Sequence, residues 1–95
     1  MKHCILVKWI PEIKNKKELL PDIQSIFDKL LILDGIYNVK IYENIVDRSN
    51  RFDLLICIEM EKSVLPIYDE SESHRLWKEK YGKFVEKKAV FDFEE

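Results

Sequence analysis

Ninety-five residues, 46% hydrophobic and 36% charged, describe a soluble globular chain of one domain, residues 1–95, near the small end of what holds a core without staples. The net charge of −2 mixes both signs along the chain and gives no field suited to nucleic acid. No apolar run reaches the ~18 residues of a membrane span, and the opening run, broken by Lys8, is too short for a signal peptide, so a cytoplasmic location with no membrane partner is expected.

Residues 3–10, HCILVKWI, are β-branched and aromatic and stop at Pro11, which reads as a first strand. From Lys16 to Asp34 the apolar positions Leu19, Leu20, Ile23, Ile26, Phe27, Leu30, Leu31 and Leu33 step by three and four, so an amphipathic helix is expected. Proline lacks an amide hydrogen and crowds the preceding turn, so the regular helix is expected to start at Pro21 and to stop near Gly35.

Residues 36–46 read as a second strand, and Asp47-Arg48-Ser49-Asn50 as a turn. Residues 51–61 form a third strand, with Phe52, Leu54, Ile56, Ile58 and Met60 on one face. A short helix containing Pro66 follows, then a second long helix capped by Ser71 and running to about Val85. The lysines at 78, 80, 83, 87 and 88 are interrupted by Glu79 and Glu86 and read as a solvated face. AVFDF, residues 89–93, is the last strand.

The order β-α-β-β-α-β gives an α+β, ferredoxin-like chain with a four-stranded antiparallel sheet. Its first strand then poses a difficulty for a lone chain. His3, Ile5, Val7 and Trp9 lie on one face, while Cys4, Leu6 and Ile10 lie on the other with only Lys8 polar. A sheet covered by helices on one side should turn polar residues to water on the second. This second side is too apolar, and an identical chain is the simplest cover, so a homodimer is expected. Cys4 and Cys57 sit in apolar runs without a CxxC spacing; they read as buried thiols in a reducing compartment, with no disulfide framework and no zinc or other metal site. No cofactor is expected.

Among His74, Trp77, Tyr81 and Phe84 the steps are three, four and three, which makes one buried helical stripe. His74 therefore has a plain reading, a core-edge imidazole with a satisfied hydrogen bond. Its position three residues past the Ser71 cap allows a sharper one. A helix N-terminus carries partial positive charge, which favours a neutral imidazole able to accept a proton. Tyr68 can offer a phenolic hydrogen bond to a substrate carbonyl, and His3 lies on the helix-facing side of its strand. Tyr68 and His3 also have plain readings, a ring spanning core to surface and a strand-end imidazole bonded to a backbone carbonyl. Asp92 either orients a histidine or pairs across the dimer; Arg48 and Arg51 either meet an acidic ligand or stay solvated.

The stretches KHCILVKW, NRFDLLICIEME and YDESESHRLWKEKY, closed by VFDF, resemble in their order and spacing the stress-responsive A/B barrel family, often called Dabb. The resemblance implies a dimeric α+β barrel in which two sheets pack together with helices outside. Plant members that cyclise polyketides use a histidine of the second long helix as base, a tyrosine shortly before it and a histidine on the first strand. These positions match His74, Tyr68 and His3. Where the family often has histidine-proline before the helix histidine, this chain has Ser71-Glu72, a more acidic lining for the mouth of a pocket.

The expected pocket lies between sheet and helices, lined by Trp77, Tyr81, Ile5 and Val7 and holding a small hydrophobic or aromatic ligand. The expected role is that of a small dimeric barrel, stress-associated or ligand-binding, without an assigned reaction. The alternative is a cofactor-independent acid–base enzyme acting on a small enolisable molecule through His74 and Tyr68.

Overall fold

Large apolar residues make β1 (Lys2–Trp9) one of the two central strands of the sheet. The computed structural model describes residues 1–95. After β1 come α1 (Lys16–Asp28), β2 (Ile36–Glu43), β3 (Leu54–Met60), α2 (Leu65–Asp69), α3 (Glu72–Tyr81) and β4 (Val85–Phe93), with short 3₁₀ turns after α1, before α2 and after α3. β1 pairs antiparallel with β3 on one side and β4 on the other, and β2 pairs antiparallel with β3. The order β2-β3-β1-β4 is that of a ferredoxin-like sheet, in which the first helical crossover leaves a gap beside β1 that β3 fills and the second brings β4 to the other side of β1.

The helices cover one face. Ile5, Val7 and Trp9 of β1 and Leu54, Ile56, Ile58 and Met60 of β3 turn towards them, and all are buried with Ile23, Ile26 and Phe27 of α1 and with Tyr68, Trp77 and Tyr81. Aromatic rings hold the middle of this layer: Trp77 lies 5.5 Å from Phe27, 5.4 Å from Tyr81 and 6.0 Å from Trp9, all tilted. A clasp closes its outer rim, where Asp22 of α1 accepts from Tyr81 Oη at 2.5 Å and from Lys80 Nζ at 2.8 Å. These bonds hold the Asp22 carboxyl below its ordinary pKa, Lys80 contributing more than Tyr81.

Five boundaries differ from the sequence expectation. α1 begins at Lys16 and carries Pro21 inside it, rather than starting at Pro21. Proline removes a single bond near the helix start, to a carbonyl at exposed Lys17, while half-buried Leu19 and Leu20 pack the first turns onto the core. β2 ends at Glu43 and β3 begins at Leu54, so the connection between them is longer than expected. Asn44 shapes it by accepting from Val46 N and donating to the Phe52 carbonyl. α3 stops at Tyr81, not Val85, and β4 begins at Val85, not Ala89. The polar EKK stretch hides that strand from pattern reading; backbone pairing with β1 extends it, through a shift in register near Trp9.

Gly35 enters β2 with φ of +88°, and a Cβ there would collide with Val64 Cγ2.

The second face of the sheet carries no helix. Register and alternation place Cys4 and Leu6 of β1, Leu55 and Cys57 of β3, Tyr42 of β2, and Ala89 and Phe91 of β4 on it. Phe91 is 67% exposed and Tyr42 50%. β4 is open on both faces, since Val90, which points the other way, is 51% exposed. No helix is long and apolar enough to cross a membrane.

Candidate functional site

Ser71 breaks the chain between α2 and α3 in extended conformation, and its Oγ accepts from the backbone N–H of His74 at 3.1 Å. That cap puts His74 in the first turn of α3, half-buried, with Nδ1 2.9 Å from the backbone carbonyl of Asp69. A carbonyl only accepts, so Nδ1 carries the hydrogen, and the lone pair of the neutral ring sits on Nε2.

His3 is held the same way by a different partner. It lies directly opposite Asp92 in the β1–β4 pair, with Nδ1 2.5 Å from Asp92 Oδ1. The carboxylate accepts and Nδ1 donates, leaving Nε2 as the free nitrogen of the neutral ring. Asp92 thus holds a histidine of its own chain.

Tyr68, from α2, stands between them. Its ring centroid is 5.1 Å from that of His3 and 4.9 Å from that of His74. It is 1% exposed, and Oη has no hydrogen-bond partner. Burial pushes the phenol well above its ordinary pKa, and the charge of nearby Asp69 adds to the effect. The result is a neutral O–H donor, desolvated and unanswered, between two imidazoles. Buried hydroxyls are nearly always bonded, so this one stands out.

The remaining predicted pocket residues fall elsewhere. Ile5, Val7, Trp77 and Tyr81 are buried in the core and close-packed against other side chains. The clefts on the surface are lined by other residues. One of about 480 Å³ gathers Lys14, Lys17, Arg48 and Arg51 with Glu43 and Asp47, a mixed-charge lining that includes both candidate arginines. Another, of about 530 Å³, lies beside the α3 cap between Ile32, Leu33, Ile67 and Ser71 to Ser73. Neither is bordered by His3, Tyr68 or His74. The three side chains thus form a closed ring stack, opened to solvent only at His74.

Sequence reasoning passed over Asp53. Its carboxylate accepts from Trp9 N at 2.8 Å and from Lys16 Nζ at 2.9 Å, tying the end of β1 to the start of α1. No local motif announces this, because the partners are distant in sequence. Trp9 Nε1 is a second buried donor without a partner. No group of three or more His, Cys, Asp or Glu side chains gathers in a metal-holding arrangement.

No family model and no curated protein matches the sequence. Solved structures do match its fold. A dimeric ferredoxin-like protein of unknown function from Bacteroides fragilis superposes with a TM-score of 0.80 at 15% identity, covering 99% of this chain and 94% of that one. A Dabb family protein from Mesorhizobium loti superposes with a TM-score of 0.72 at 14% identity, covering 99% and 94%. The chain shares the ferredoxin-like fold of that Dabb protein. A hydroxynitrile lyase from Passiflora edulis also shares the fold, with a TM-score of 0.73 at 12% identity over 97% of this chain and 89% of its own.

Proposed function

We propose that this chain is a homodimeric, small-ligand-binding protein whose site is the His3–Tyr68–His74 stack, and that its ligand presents a carbonyl or oxyanion to Tyr68 Oη. The unanswered Tyr68 hydroxyl carries the reading. A buried donor without an acceptor costs ~1–3 kcal/mol, which a ligand oxygen would recover. The rings already touch, so entry requires the short α2 segment and the His74 rim to move; the ligand is small and flat, with an apolar body suited to the aromatic surroundings.

The apolar face of the sheet supports the dimer. Leu6, Leu55, Cys57 and Phe91 form a patch that water would otherwise meet, and a second copy presents the same patch in self-complementary form. Proteins of the same fold from Bacteroides fragilis, Thermobifida fusca and Jannaschia are dimeric.

A specific observation favours the second reading, an acid–base enzyme. Both histidines are bonded through Nδ1, so both neutral rings keep Nε2 for a proton. Enolisation of a bound ketone needs a base for the α-hydrogen and a donor for the oxygen, and His74 and Tyr68 supply these types. A hydroxynitrile lyase on the same fold fits this reading.

The test has two stages. Small aromatic β-diketones are titrated against the protein and its Tyr68→Phe variant by calorimetry. Binding by the parent that weakens at least ~10-fold in the variant supports the ligand site; equal binding refutes it. Deuterium uptake at the α-carbon of a bound diketone then reads catalysis. His74→Ala should lower it by ~10²-fold or more, and an unchanged rate refutes the enzyme reading. Sedimentation of Phe91→Lys, expected to be monomeric where the parent is dimeric, reads the interface.

A further inference from the structure

Two thiols face each other at the centre of the helix-free side of the sheet. Cys4 of β1 and Cys57 of β3 are direct cross-strand partners, and their sulfurs lie 3.4 Å apart. The bonding pattern says which kind of pair they form. Met1 and Met60, three steps along the same ladder, exchange both backbone bonds, N–H to carbonyl in each direction at 2.9 Å. Bonded and non-bonded pairs alternate along an antiparallel ladder, so Lys2/Glu59 is non-bonded, His3/Ile58 bonded and Cys4/Cys57 non-bonded. Non-bonded partners have Cα atoms about 4.5 Å apart with their side chains closest, at the short end of the disulfide range.

We propose that Cys4 and Cys57 are a reversible dithiol–disulfide site, closed by a peroxide and opened by a small thiol. This rests on the register and on the sulfur contact, and is independent of the ligand site on the other face. In the first step the Cys57 thiolate attacks a peroxide oxygen; the S–O bond forms, the O–O bond breaks, and Cys57 becomes a sulfenic acid as water leaves. Cys4 Sγ then attacks the Cys57 sulfur; the S–S bond forms, the S–O bond breaks, and the hydroxyl leaves as water with the Cys4 proton. Two thiols lose two electrons to one peroxide, which yields two waters.

The division of labour follows from exposure in the single chain. Cys57 is part-exposed there and meets the oxidant when the two copies of the proposed dimer are apart, while Cys4 is buried and waits 3.4 Å behind it. Burial, with the Cys57 contact adding to it, pushes the Cys4 thiol up to about 11, so Cys4 stays protonated and does not compete for the peroxide.

The test uses the reduced chain at dilution with hydrogen peroxide, read by intact mass and by mapping under non-reducing conditions. The expected product is about 2 Da lighter, with Cys4 joined to Cys57 in the same chain, and reduced glutathione restores the starting mass. In Cys4→Ser the second step is lost, so Cys57 should accumulate as a sulfenic acid that dimedone traps. Oxidation of Cys57 in the parent to the sulfinic or sulfonic level with Cys4 untouched would overturn the proposal. Bridges formed only between chains, or no reaction at all, would do the same.

Discussion

His3 and Asp92 face each other across the β1–β4 pair, a buried imidazole bonded to a carboxylate on an edge strand. The bond fixes the ring from the edge strand on the helix-facing side of the sheet, so a strand that buries almost nothing still orients a group of the candidate site. Asp92→Ala leaves the Nδ1–H of a ring that is 6% exposed without its acceptor. The expected cost is ~1–3 kcal/mol in urea unfolding, since an orphaned buried donor is expensive. A variant as stable as the parent would mean that the contact contributes nothing.

Tyr68 and Tyr81 should respond in opposite directions to loss of a hydroxyl. Tyr81 Oη donates to Asp22, whose side chain is 42% exposed, so Tyr81→Phe should lose at most ~1 kcal/mol. Tyr68 Oη donates to nothing, and Tyr68→Phe should gain ~1 kcal/mol in the ligand-free protein. Chemical denaturation of the pair measures both signs. A Tyr68→Phe variant less stable than the parent would show that the hydroxyl already has a partner.

The raised phenol of Tyr68 adds a dependence at high pH. Above about pH 10 the unfolded chain releases this proton while the folded chain retains it, so stability falls as pH rises. Unfolding curves collected at pH 9 to 11 should show a shallower loss for Tyr68→Phe than for the parent.

Asp22 gives the opposite window. Its folded pKa lies below the ordinary 3.8, so its contribution is full above that value and disappears as pH falls through the lower one. Parent and Asp22→Asn melting temperatures should differ by a constant amount near neutrality and converge in acid. A gap that persists to the lowest accessible pH would assign the effect to packing.

Trp77 touches Phe27, Trp9 and Tyr81, so it joins both main helices to the sheet. Trp77→Ala should cost ~3–5 kcal/mol, a large share of the stability of a domain this size. Equal heat resistance in the variant would contradict the aromatic layer.

How much of this was legible in the residues follows physical lines. The strands and helices whose apolar residues keep period two or near four were readable, and so was the sheet face that lacks a cover. Pro21 misled because a local rule met a tertiary force: losing one backbone bond near a helix start matters less than seating Leu19 and Leu20. β4 was shortened because its pairing energy is in the backbone, which Glu86, Lys87 and Lys88 do not advertise. For the candidate site, proximity of His3, Tyr68 and His74 was expectable from fold resemblance. The closed packing, the Asp92 and Asp69 partners and the unanswered hydroxyl were not, since each depends on register or rotamer. The same holds for Cys4 and Cys57, fifty-three positions apart and in contact.

The two glycines of the chain are unequal in what they permit. At Gly35 the backbone conformation and the neighbouring valine both refuse a side chain, whereas nothing lies within 4 Å of where one would grow from Gly82. A designer wishing to attach a label, graft a loop or stiffen this small protein therefore has latitude at the hinge into its last strand and none at the hinge into its second.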